Sequence, residues 1–238
     1  MIRKLYSQAG QDLWVMRDVF NWMTGGYFLD IGAAGGIELS NTCALERHLS
    51  WNGLCIEADP ASFQDLQSNR RCKMLNACLA GKPGKVRFAG RSTFFGGIID
   101  PAAPLNPGEQ VLEFEARTLQ EVLIQEKVPE TIHYLTIDVE GAEEEILSTF
   151  PFRTHRFLSA TIERPGEGLR EVLKSEGYLL VAEQPGLDAF YLHPSLGDSY
   201  RIHAIEAARF RSLSPVPRLK KTVRSLLGQG LRSSMRKL

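Results

Sequence analysis

The stretch GYFLDIGAAGGIELSNTCALE (residues 26–46) decides the fold. It reads as a buried apolar run that ends in Asp30, a glycine-rich bend, and an amphipathic segment that follows Ser40. That order is typical of a nucleotide-binding strand, loop and helix. The bend has neither the G-x-G-x-x-G spacing of a dinucleotide site nor the G-K-[ST] ending of a phosphate loop. The stretch therefore predicts a nucleotide site for a ligand of another kind.

Apolar runs and helical patterns alternate on both sides of this stretch. A helix is expected over residues 11–23, stopped by Gly25-Gly26, whereas residues 84–116 suggest short antiparallel strands or loops. YLLVAE and LDAFYLH are joined by the turn QPG, which is too short for a crossover, so these last two strands must be antiparallel. The pattern predicts an α/β fold: a mostly parallel sheet with a terminal antiparallel hairpin and helices on both faces.

Charge is unevenly distributed along the 238 residues. Lys+Arg and Asp+Glu each number 28, but nine basic and no acidic residues follow Glu206, which leaves residues 1–206 with a net charge of −9. An acidic body without a pattern of interleaved aromatic and basic residues argues against nucleic-acid binding. The basic, partly amphipathic tail fits an anionic membrane surface or an acidic partner; the other interpretation is a terminal helix packed on its own acidic body, or a disordered tail.

Cysteine usage and the N-terminus indicate a cytoplasmic setting. The four cysteines lack C-x-x-C spacing, and Cys55 and Cys78 fall in apolar runs as small buried thiols do. The first residues lack the apolar core of a signal peptide, and no apolar run approaches the length of a membrane span.

Polar residues at the strand ends indicate the ligand. In an open parallel sheet, ligands bind at the carboxyl ends of the strands, where Asp30, Glu57 and Asn76 are expected. A carboxylate at the end of the second strand is the usual partner of a ribose diol, and an acid in the first turn repels a pyrophosphate. S-adenosylmethionine has an ammonium group, a sulfonium and no phosphate, so among common adenosine cofactors it fits best.

Several motifs together resemble the FkbM family of S-adenosylmethionine-dependent methyltransferases. They are YSQAGQD (6–12), GYFLDIGAAGG (26–36), SNT…LE (40–46), WNGLCIEADP (51–60), NR…C (69–72) and LTIDVEGAEEEIL (135–147). The resemblance runs from about Tyr6 to the strand near His193. It implies a Rossmann-like class I methyltransferase with a seven-stranded sheet. It also implies methyl transfer, usually to oxygen, with sugars, glycolipids or polyketide natural products as typical acceptors.

The resemblance also implies roles for parts of the chain. An N-terminal helical segment (residues 1–24) would cover the cofactor mouth, and a methyltransferase domain would span residues 25–197; the basic C-terminal tail, residues 198–238, lies beyond the resemblance. Gln8, Gln11 or Asp12 would approach the cofactor, unless Gln11 and Asp12 only cap a helix with a solvated first turn. The candidate cofactor residues are Gln11, Asp30, Gly32, Ala33, Gly35, Asn41, Glu57, Ala58, Asp59 and Asn76.

Three carboxylates are candidates for catalysis. IDVEGAE places Asp138 and Glu140 at the end of the fourth strand of the main sheet, and ATIERPG places Glu163 at the end of the fifth. An alcohol acceptor needs its proton removed, either by a carboxylate with a raised pKa or with help from a divalent metal. Asp138 and Glu163 could ligate Mg²⁺ through oxygen, or all three carboxylates could act as one base and two hydrogen-bonding groups.

Two further features have open interpretations. Residues 90–108, with Phe94 and Phe95, read as a lid on the acceptor side or as an ordinary crossover with two buried rings. His193, after the last strand, could face the cleft as a base.

The sequence thus favours an O-methyltransferase acting on a sugar, a glycan or glycolipid, or a glycosylated natural product. The alternatives are a non-catalytic module with the same fold and, less favoured, an NAD-dependent oxidoreductase. The oligomeric state is left open.

Overall fold

A computed structural model describes residues 4–91, 95–99, 110–198, 201–202 and 205–206. Its strands are β1 (Tyr27–Ile31), β2 (Asn52–Glu57), β3 (Lys73–Asn76), β4 (Gly84–Arg91), β5 (Phe95–Ile99), β6 (Gln110–Ala116), β7 (Thr131–Ile137), β8 (Arg156–Glu163), β9 (Leu179–Glu183) and β10 (Asp188–Leu192). Its helices are α1 (Gln11–Leu13), which continues into a π-helical segment (Trp14–Val19), α2 (Cys43–Leu49), α3 (Pro60–Asn69), α4 (Leu119–Gln125), α5 (Glu143–Leu147) and α6 (Glu167–Ser175).

Seven strands form the main sheet in the order β3-β2-β1-β7-β8-β10-β9. The first five in this order pair in parallel, and β10 is antiparallel to both β8 and β9. The predicted parallel sheet with a terminal antiparallel hairpin is therefore confirmed. The order of the strands reverses between β1 and β7, which is where open α/β sheets bind ligands.

Alternation along the central strands assigns each face of the sheet to its own helices. Leu29 and Ile31 of β1 pack in a core with α4, α5 and α6, whereas Phe28 packs in a second core with the N-terminal helices, α2 and α3. Successive strand residues point to opposite faces, so a sheet covered on both sides needs apolar residues at nearly every position. The run YFLDI meets that requirement except at Asp30.

The first helix is shorter than the sequence pattern predicts. Residues 11–23 were expected to be helical, but the π-helical segment ends at Val19. Asn21 and Trp22 have φ angles of 43° and 62°, and these left-handed conformations cannot continue a right-handed helix. The predicted stop at Gly25-Gly26 is therefore wrong by several residues.

Local sequence signals position the helices that follow the strands. Asp59 accepts a hydrogen bond from Ser62 N at 2.9 Å and caps α3, whose first residue is Pro60. Thr118 and Glu121 form a reciprocal capping box at the start of α4. Such caps each contribute about 1 kcal/mol, and they fix where the chain turns at the edge of the sheet.

The segment that departs from the alternation forms a second sheet. β4 pairs in antiparallel fashion with both β5 and β6, in the order β5-β4-β6. Short antiparallel strands or loops were expected over residues 84–116, and the described part of this range forms antiparallel strands. Phe94, residues 100–108 of the expected lid, and residues 207–238 of the basic tail lie outside the described residues.

All four cysteines are buried and free, as expected for Cys55 and Cys78. Among the described residues, every helix is too short or too polar to cross a lipid bilayer.

Candidate active site

The carboxyl edge of the main sheet gathers residues from six neighbouring strands, five of them with polar side chains. Because β10 is antiparallel, it contributes its first residue to this edge, whereas the parallel strands contribute their last residues or the residues just after them. Across the sheet these residues are Asn76, Glu57, Gly32, Asp138, Glu163 and Asp188. We take this edge as the candidate active site.

The glycine-rich bend lies directly against the end of β7. Gly32 has a φ of 86°, and a Cβ atom there would lie 2.0 Å from the carbonyl oxygen of Asp138. The N–H groups of Gly32 and Ala33 donate to Ile56 O at 3.0 and 3.1 Å. Only glycine combines this conformation with such a close approach of two backbones. Glycine at this position therefore brings the bend and the end of β7 into backbone contact.

A buried guanidinium fixes the far side of the bend. Arg70, which is 3% exposed, donates to Gly36 O at 3.3 Å, to Thr42 Oγ1 at 3.0 Å and to Glu46 Oε2 at 2.9 Å. Gly35 is held from the same side, since Asn69 Nδ2 donates to its carbonyl oxygen at 2.8 Å. Arginine can satisfy several oxygens at once because its donors are arranged as a rigid fork. The bend is therefore tied to the end of α3.

Asp30 lies beneath this bend. Its carboxylate is 5% exposed and accepts a hydrogen bond of 2.5 Å from Thr42 Oγ1. Burial raises the pKa of Asp30, while the charge of Arg70 and the bond from Thr42 oppose the increase. The structure thus gives Asp30 protein partners that stabilise the start of α2.

Glu57 holds the bend from the end of β2. Its two carboxylate oxygens accept N–H groups of Ala34 and Asp59 at 2.8 and 2.7 Å. Burial raises the pKa of Glu57, and these backbone N–H groups lower it in part. Asn76 donates to the carbonyl oxygens of Glu57 and Ala58 at 2.8 and 3.0 Å. Each carboxylate oxygen has a further lone pair, so Glu57 retains the capacity to accept ligand hydroxyls.

Asn41 precedes α2 and contacts the neighbouring strand. Its Nδ2 donates to Thr136 Oγ1 of β7 at 2.9 Å. Its Oδ1 is buried and has no hydrogen-bond partner in the described part of the chain. The Oδ1 atom of Asn41 is therefore an unsatisfied hydrogen-bond acceptor among the described residues.

Three carboxylates meet where β7 and β8 end. Asp138, Glu143 and Glu163 each bring one oxygen within 4.8 Å of the others. Glu143 Oε1 also accepts N–H groups of Val139 and Gly141 at 3.0 and 3.2 Å, which shapes the loop after β7. Ionised carboxylates this close repel one another, which opposes the ionisation of Asp138.

The pKa of Asp138 is raised well above its ordinary value. Desolvation by the surrounding protein is the first cause, and the hydrogen bond to Glu163 and the negative charges of three neighbouring carboxylates add to it. Those carboxylates belong to Glu163, Asp188 and Glu140. Asp138 nevertheless keeps an exposed surface.

Glu140 forms an ion pair with Arg164. Arg164 Nη2 lies 2.8 Å from Glu140 Oε2 and 2.9 Å from Glu163 Oε2. Both Glu140 and Arg164 have positive φ angles, 59° and 40°. Backbone strain of this kind costs about 1 kcal/mol or more per residue and is frequent at functional sites.

Residues 6–12 extend across the same edge. A parallel bridge joins Ser7 to Leu39 beside the bend, and Gln11 Nε2 donates to Asp188 Oδ2 at the start of β10. Asp12 accepts Tyr6 N at 2.7 Å and Ser7 Oγ at 2.5 Å. Gln11 and Asp12 are 2% and 0% exposed, so a solvated first turn is the wrong interpretation of these two residues.

The second sheet covers part of the site. The backbone of Gly97 in β5 approaches Val139 and Glu140, because a Cβ atom at Gly97 would lie 3.6 Å from Glu140 O and 3.7 Å from Val139 O. Part of the segment that the sequence suggested as a lid therefore lies over the loop that carries Asp138 and Glu140.

His193 does not reach this edge. It follows the carboxyl end of β10, and because β10 is antiparallel this end lies at the edge of the sheet opposite the candidate site. The Nδ1 atom of His193 lies 2.6 Å from Ser195 Oγ. The expectation that His193 could face the cleft is therefore wrong. The residue of β10 that does lie at the edge is Asp188, which sequence reasoning missed. Its signal was the antiparallel hairpin itself, because that topology brings the start of β10 beside Glu163.

Comparisons with known proteins agree with this topology. The family model of the methyltransferase FkbM domain matches residues 30–180, which is more than half of the chain. No curated protein matches the sequence.

Solved structures show a similar fold at low identity. Methyltransferase FkbM from Methylobacillus flagellatus KT is 13% identical with a TM-score of 0.51; the match covers 79% of this chain and 48% of that one. Precorrin-6y C5,15-methyltransferase from Geobacter metallireducens GS-15 is 12% identical over 76% of this chain and 84% of that one, with a TM-score of 0.41. The N-terminal domain of human METTL16 in complex with SAH is 15% identical over 79% and 72%, also with a TM-score of 0.41. This chain thus spans about half the length of the Methylobacillus protein, and the likeness establishes a shared Rossmann-like class I methyltransferase fold.

Proposed function

This chain belongs to the FkbM methyltransferase family, and we propose that it transfers a methyl group from S-adenosylmethionine to a hydroxyl of a sugar, a glycan or glycolipid, or a glycosylated natural product. The observation that carries the proposal is the pair of carboxylates of Asp138 and Glu163, which bring oxygens within 4.8 Å of each other at the ends of neighbouring central strands. An alcohol acceptor requires a base at that point, and this pair supplies one.

The residues present fit the cofactor. The bend lacks the features that hold phosphate, and Gly32 lets it pack backbone to backbone against Asp138, which brings the ends of β1 and β7 together at the edge where the cofactor would bind. Glu57 stands at the end of β2 with lone pairs free for a ribose diol. Asn76, Ala58 and Asp59 adjoin Glu57 on the side where we expect the adenine.

The N-terminal segment supports the same assignment. Residues 6–12 are attached to Leu39 at one end and to Asp188 at the other, so they would lie over a bound cofactor. We propose that this segment covers the cofactor mouth and that the methyltransferase domain begins after it. Covering the site excludes water, which strengthens electrostatic interactions inside it.

When bound, S-adenosylmethionine supplies an activated methyl group on a sulfonium. Asp138 is placed to accept the proton of an acceptor hydroxyl, which would activate that oxygen toward the methyl group that the cofactor would supply. The raised pKa of Asp138 makes it a stronger base than an ordinary carboxylate. Arg164 holds Glu163 and Glu140 in place beside Asp138. Both carboxylates can accept hydrogen bonds from other hydroxyl groups of the acceptor.

A divalent cation is the second device that this donor set allows. Three carboxylate oxygens within 4.8 Å of one another are suitable ligands for Mg²⁺. However, the guanidinium of Arg164 already neutralises Glu163, and Glu143 is engaged with backbone N–H groups. We therefore propose a metal-independent base.

The acceptor is proposed from the family and from the chemistry of the edge. Carboxylates suit the hydroxyl groups of a carbohydrate, and β5 adjoins them as an acceptor-side wall. Contact of the tail with a membrane surface or an acidic partner, and a cytoplasmic location, remain proposals from the sequence.

The proposal is tested with radiolabelled S-adenosylmethionine and fractionated extracts, assayed with and without EDTA. Label transferred to a carbohydrate-containing fraction, and retained there as an alkali-stable ether, supports it. Transfer only to nitrogen, or to nucleic acid, would overturn O-methylation. A protein that binds S-adenosylhomocysteine but transfers no label from any fraction would instead be a non-catalytic module.

A further inference from the structure

A polar cavity lies where α2 and α3 end, and its lining shares no residue with the carboxyl edge of the main sheet. Its volume is about 550 Å³, within the range of pockets that hold small ligands. Its lining consists of polar and charged residues from the two helix ends: Glu46, Arg47, Ser50, Ser68, Asn69, Arg70 and Arg71. A lining of this kind suits a polar or charged ligand rather than an apolar one.

The acid of this lining is neutralised within the protein. Glu46 Oε2 lies 2.9 Å from Arg70 Nε, and Glu46 Oε1 accepts the N–H of Arg71 at 2.9 Å. Arg70 is 3% exposed, so this ion pair lies in the protein beneath the cavity. The charge that the cavity presents to solvent is therefore set by its exposed arginines.

Two guanidinium groups of the lining have donors to spare. Arg47 donates from Nη1 to Tyr6 Oη and from Nη2 to Asn69 O, both at 3.2 Å, which leaves its Nε–H without a partner among the described residues. The Arg71 side chain and the Ser50 hydroxyl are exposed and have no hydrogen-bond or ion-pair partner in the described part of the chain. The cavity thus combines two cations with a free hydroxyl donor.

Balancing the helix ends accounts for only part of this charge. A helix end carries roughly half a negative charge, and Arg47 binds the carbonyl oxygen of Asn69, the last residue of α3, as basic side chains at helix ends commonly do. Arg71 makes no such bond within the described ranges. Two full positive charges also outweigh two partial negative ones, so the cavity has a net attraction for an anion.

This surface differs in charge from the rest of the body. Residues 1–206 carry a net charge of −9. Lys4 adds a further cation beside the cavity, since its Nζ and the Arg47 guanidinium carbon lie 5.0 and 5.4 Å from the centre of the same Tyr6 ring. An acidic body repels anions in general, so binding of an anion here depends on this local group of cations.

The donor set fits a phosphate group best. A phosphate monoester carries a charge of about −1.5 to −2 at pH 7 and has three strong acceptor oxygens, whereas a carboxylate has one charge and two oxygens. Arginine forms paired hydrogen bonds to phosphate oxygens because its N–H groups are arranged as a planar fork. Two guanidinium groups and a hydroxyl therefore match the charge and the acceptors of one phosphate.

We propose that this cavity binds a phosphate group through Arg47, Arg71 and Ser50, and that the phosphate belongs to a soluble phosphorylated molecule or to a lipid headgroup. The site is distinct from the proposed active site and does not depend on methyl transfer.

Calorimetry of the full chain with inorganic pyrophosphate, at constant ionic strength, tests the proposal. The unsubstituted protein should bind this probe saturably. Arg71→Ala should weaken binding about tenfold or more, the loss of charge-assisted hydrogen bonds. Arg71→Lys keeps the charge without the fork and should weaken binding about threefold. Arg153→Ala removes an exposed arginine outside the cavity and is the matched control, with an affinity within about twofold of the unsubstituted protein.

Sedimentation with vesicles distinguishes the two sources of phosphate. Binding to phosphatidylcholine vesicles that contain phosphatidate, weakened by Arg71→Ala, would identify a lipid headgroup. Pyrophosphate binding without such vesicle binding would identify a soluble ligand.

Two results would overturn the proposal. The first is the absence of saturable pyrophosphate binding. The second is binding that Arg47→Ala and Arg71→Ala leave unchanged, because another cationic part of the chain, such as the basic tail, would then be responsible. S-adenosylhomocysteine affinity should stay within about twofold in Arg71→Ala, so failure of this site and failure of the proposed cofactor are separate results.

Discussion

Glu163 and Asp188 are opposite each other in the antiparallel register of β8 and β10, so their two carboxylates lie side by side at the carboxyl edge of the main sheet. Both are buried, at 4% and 7% exposure. Gln11 donates a hydrogen bond to Asp188 from a position 177 residues earlier in the chain. This bond connects the N-terminal segment to the proposed catalytic carboxylates.

Removing that connection should weaken cofactor binding. Gln11→Ala deletes a buried donor to Asp188 and frees one end of the covering segment, so we expect about a tenfold loss of S-adenosylhomocysteine affinity. Gln11→Glu should lose more, because it places a carboxylate beside a carboxylate. Gln120→Ala is the matched control, since Gln120 is exposed on α4 and the structure shows no side-chain hydrogen bond for it among the described residues. Unchanged affinity in both Gln11 variants, measured by calorimetry, would exclude the proposed cover.

Two glycines with similar backbone conformations should differ sharply in their tolerance of alanine. Gly32 and Gly25 have φ angles of 86° and 73°, but only at Gly32 would a Cβ atom meet the backbone of Asp138, at 2.0 Å. Gly25→Ala should cost about 1 kcal/mol of unfolding free energy, from conformation alone. Gly32→Ala should cost about 3 kcal/mol or more and impair cofactor binding. Urea unfolding of the two variants measures the difference, and equal costs would refute the close approach.

Asp138 should control the pH dependence of turnover. It accepts a proton only when ionised, and its pKa is raised, so turnover should increase with pH until the pKa of Asp138 is passed. Asp138→Asn should reduce kcat by about 10² or more, with S-adenosylhomocysteine affinity changed less than about threefold. Asp188→Asn removes a negative charge that raises this pKa and should shift the acidic limb to lower pH. Full turnover by Asp138→Asn on the identified acceptor would show that another group is the base.

The same carboxylate should reduce the stability of the folded protein at neutral pH. A carboxylate whose pKa is raised by folding binds its proton more tightly in the folded state. Its favourable contribution is complete below about pH 4 and is lost as the pH rises through the folded-state pKa. Asp138→Asn should therefore raise the Tm at pH 8, and the difference should vanish near pH 4. Asp198→Asn, at an exposed carboxylate, should show no such trend.

Chelation should leave turnover nearly intact. Arg164 supplies the positive charge beside Glu163, so turnover should need no metal ion. EDTA at roughly 5–10 mM, an excess over trace metal, should change kcat less than about twofold. Loss of turnover with EDTA and recovery with added Mg²⁺ would instead identify Asp138, Glu143 and Glu163 as a metal site.

The fold and much of the edge could be predicted because they follow from local patterns. Glu57, Asp138 and Glu163 end apolar runs, and the carboxyl ends of parallel strands share one edge. The antiparallel direction of β10 could also be predicted from the turn QPG. Because β10 is antiparallel, its start rather than its end lies at the candidate active site. Asp188 is therefore at the site and His193 is not.

Other features depend on contacts that no local pattern encodes. The role of Arg70 requires α3 to pack beside the bend, which places its guanidinium on oxygens from residues 24 to 34 positions earlier. The buried hydrogen bond between Thr161 and Thr136 requires β7 and β8 to pair in the register that places these residues opposite each other. The left-handed turn at Asn21 and Trp22 contains no glycine that would mark it in the sequence. The periodic apolar pattern therefore predicts a helix that is too long.

The cofactor is the central claim, and calorimetric titration of the full chain tests it most directly. S-adenosylhomocysteine should bind at a single saturable site, Glu57→Ala should weaken that binding, and NAD should give no binding heat. Absence of S-adenosylhomocysteine binding, or saturable binding of NAD in its place, would contradict the proposed methyltransferase activity.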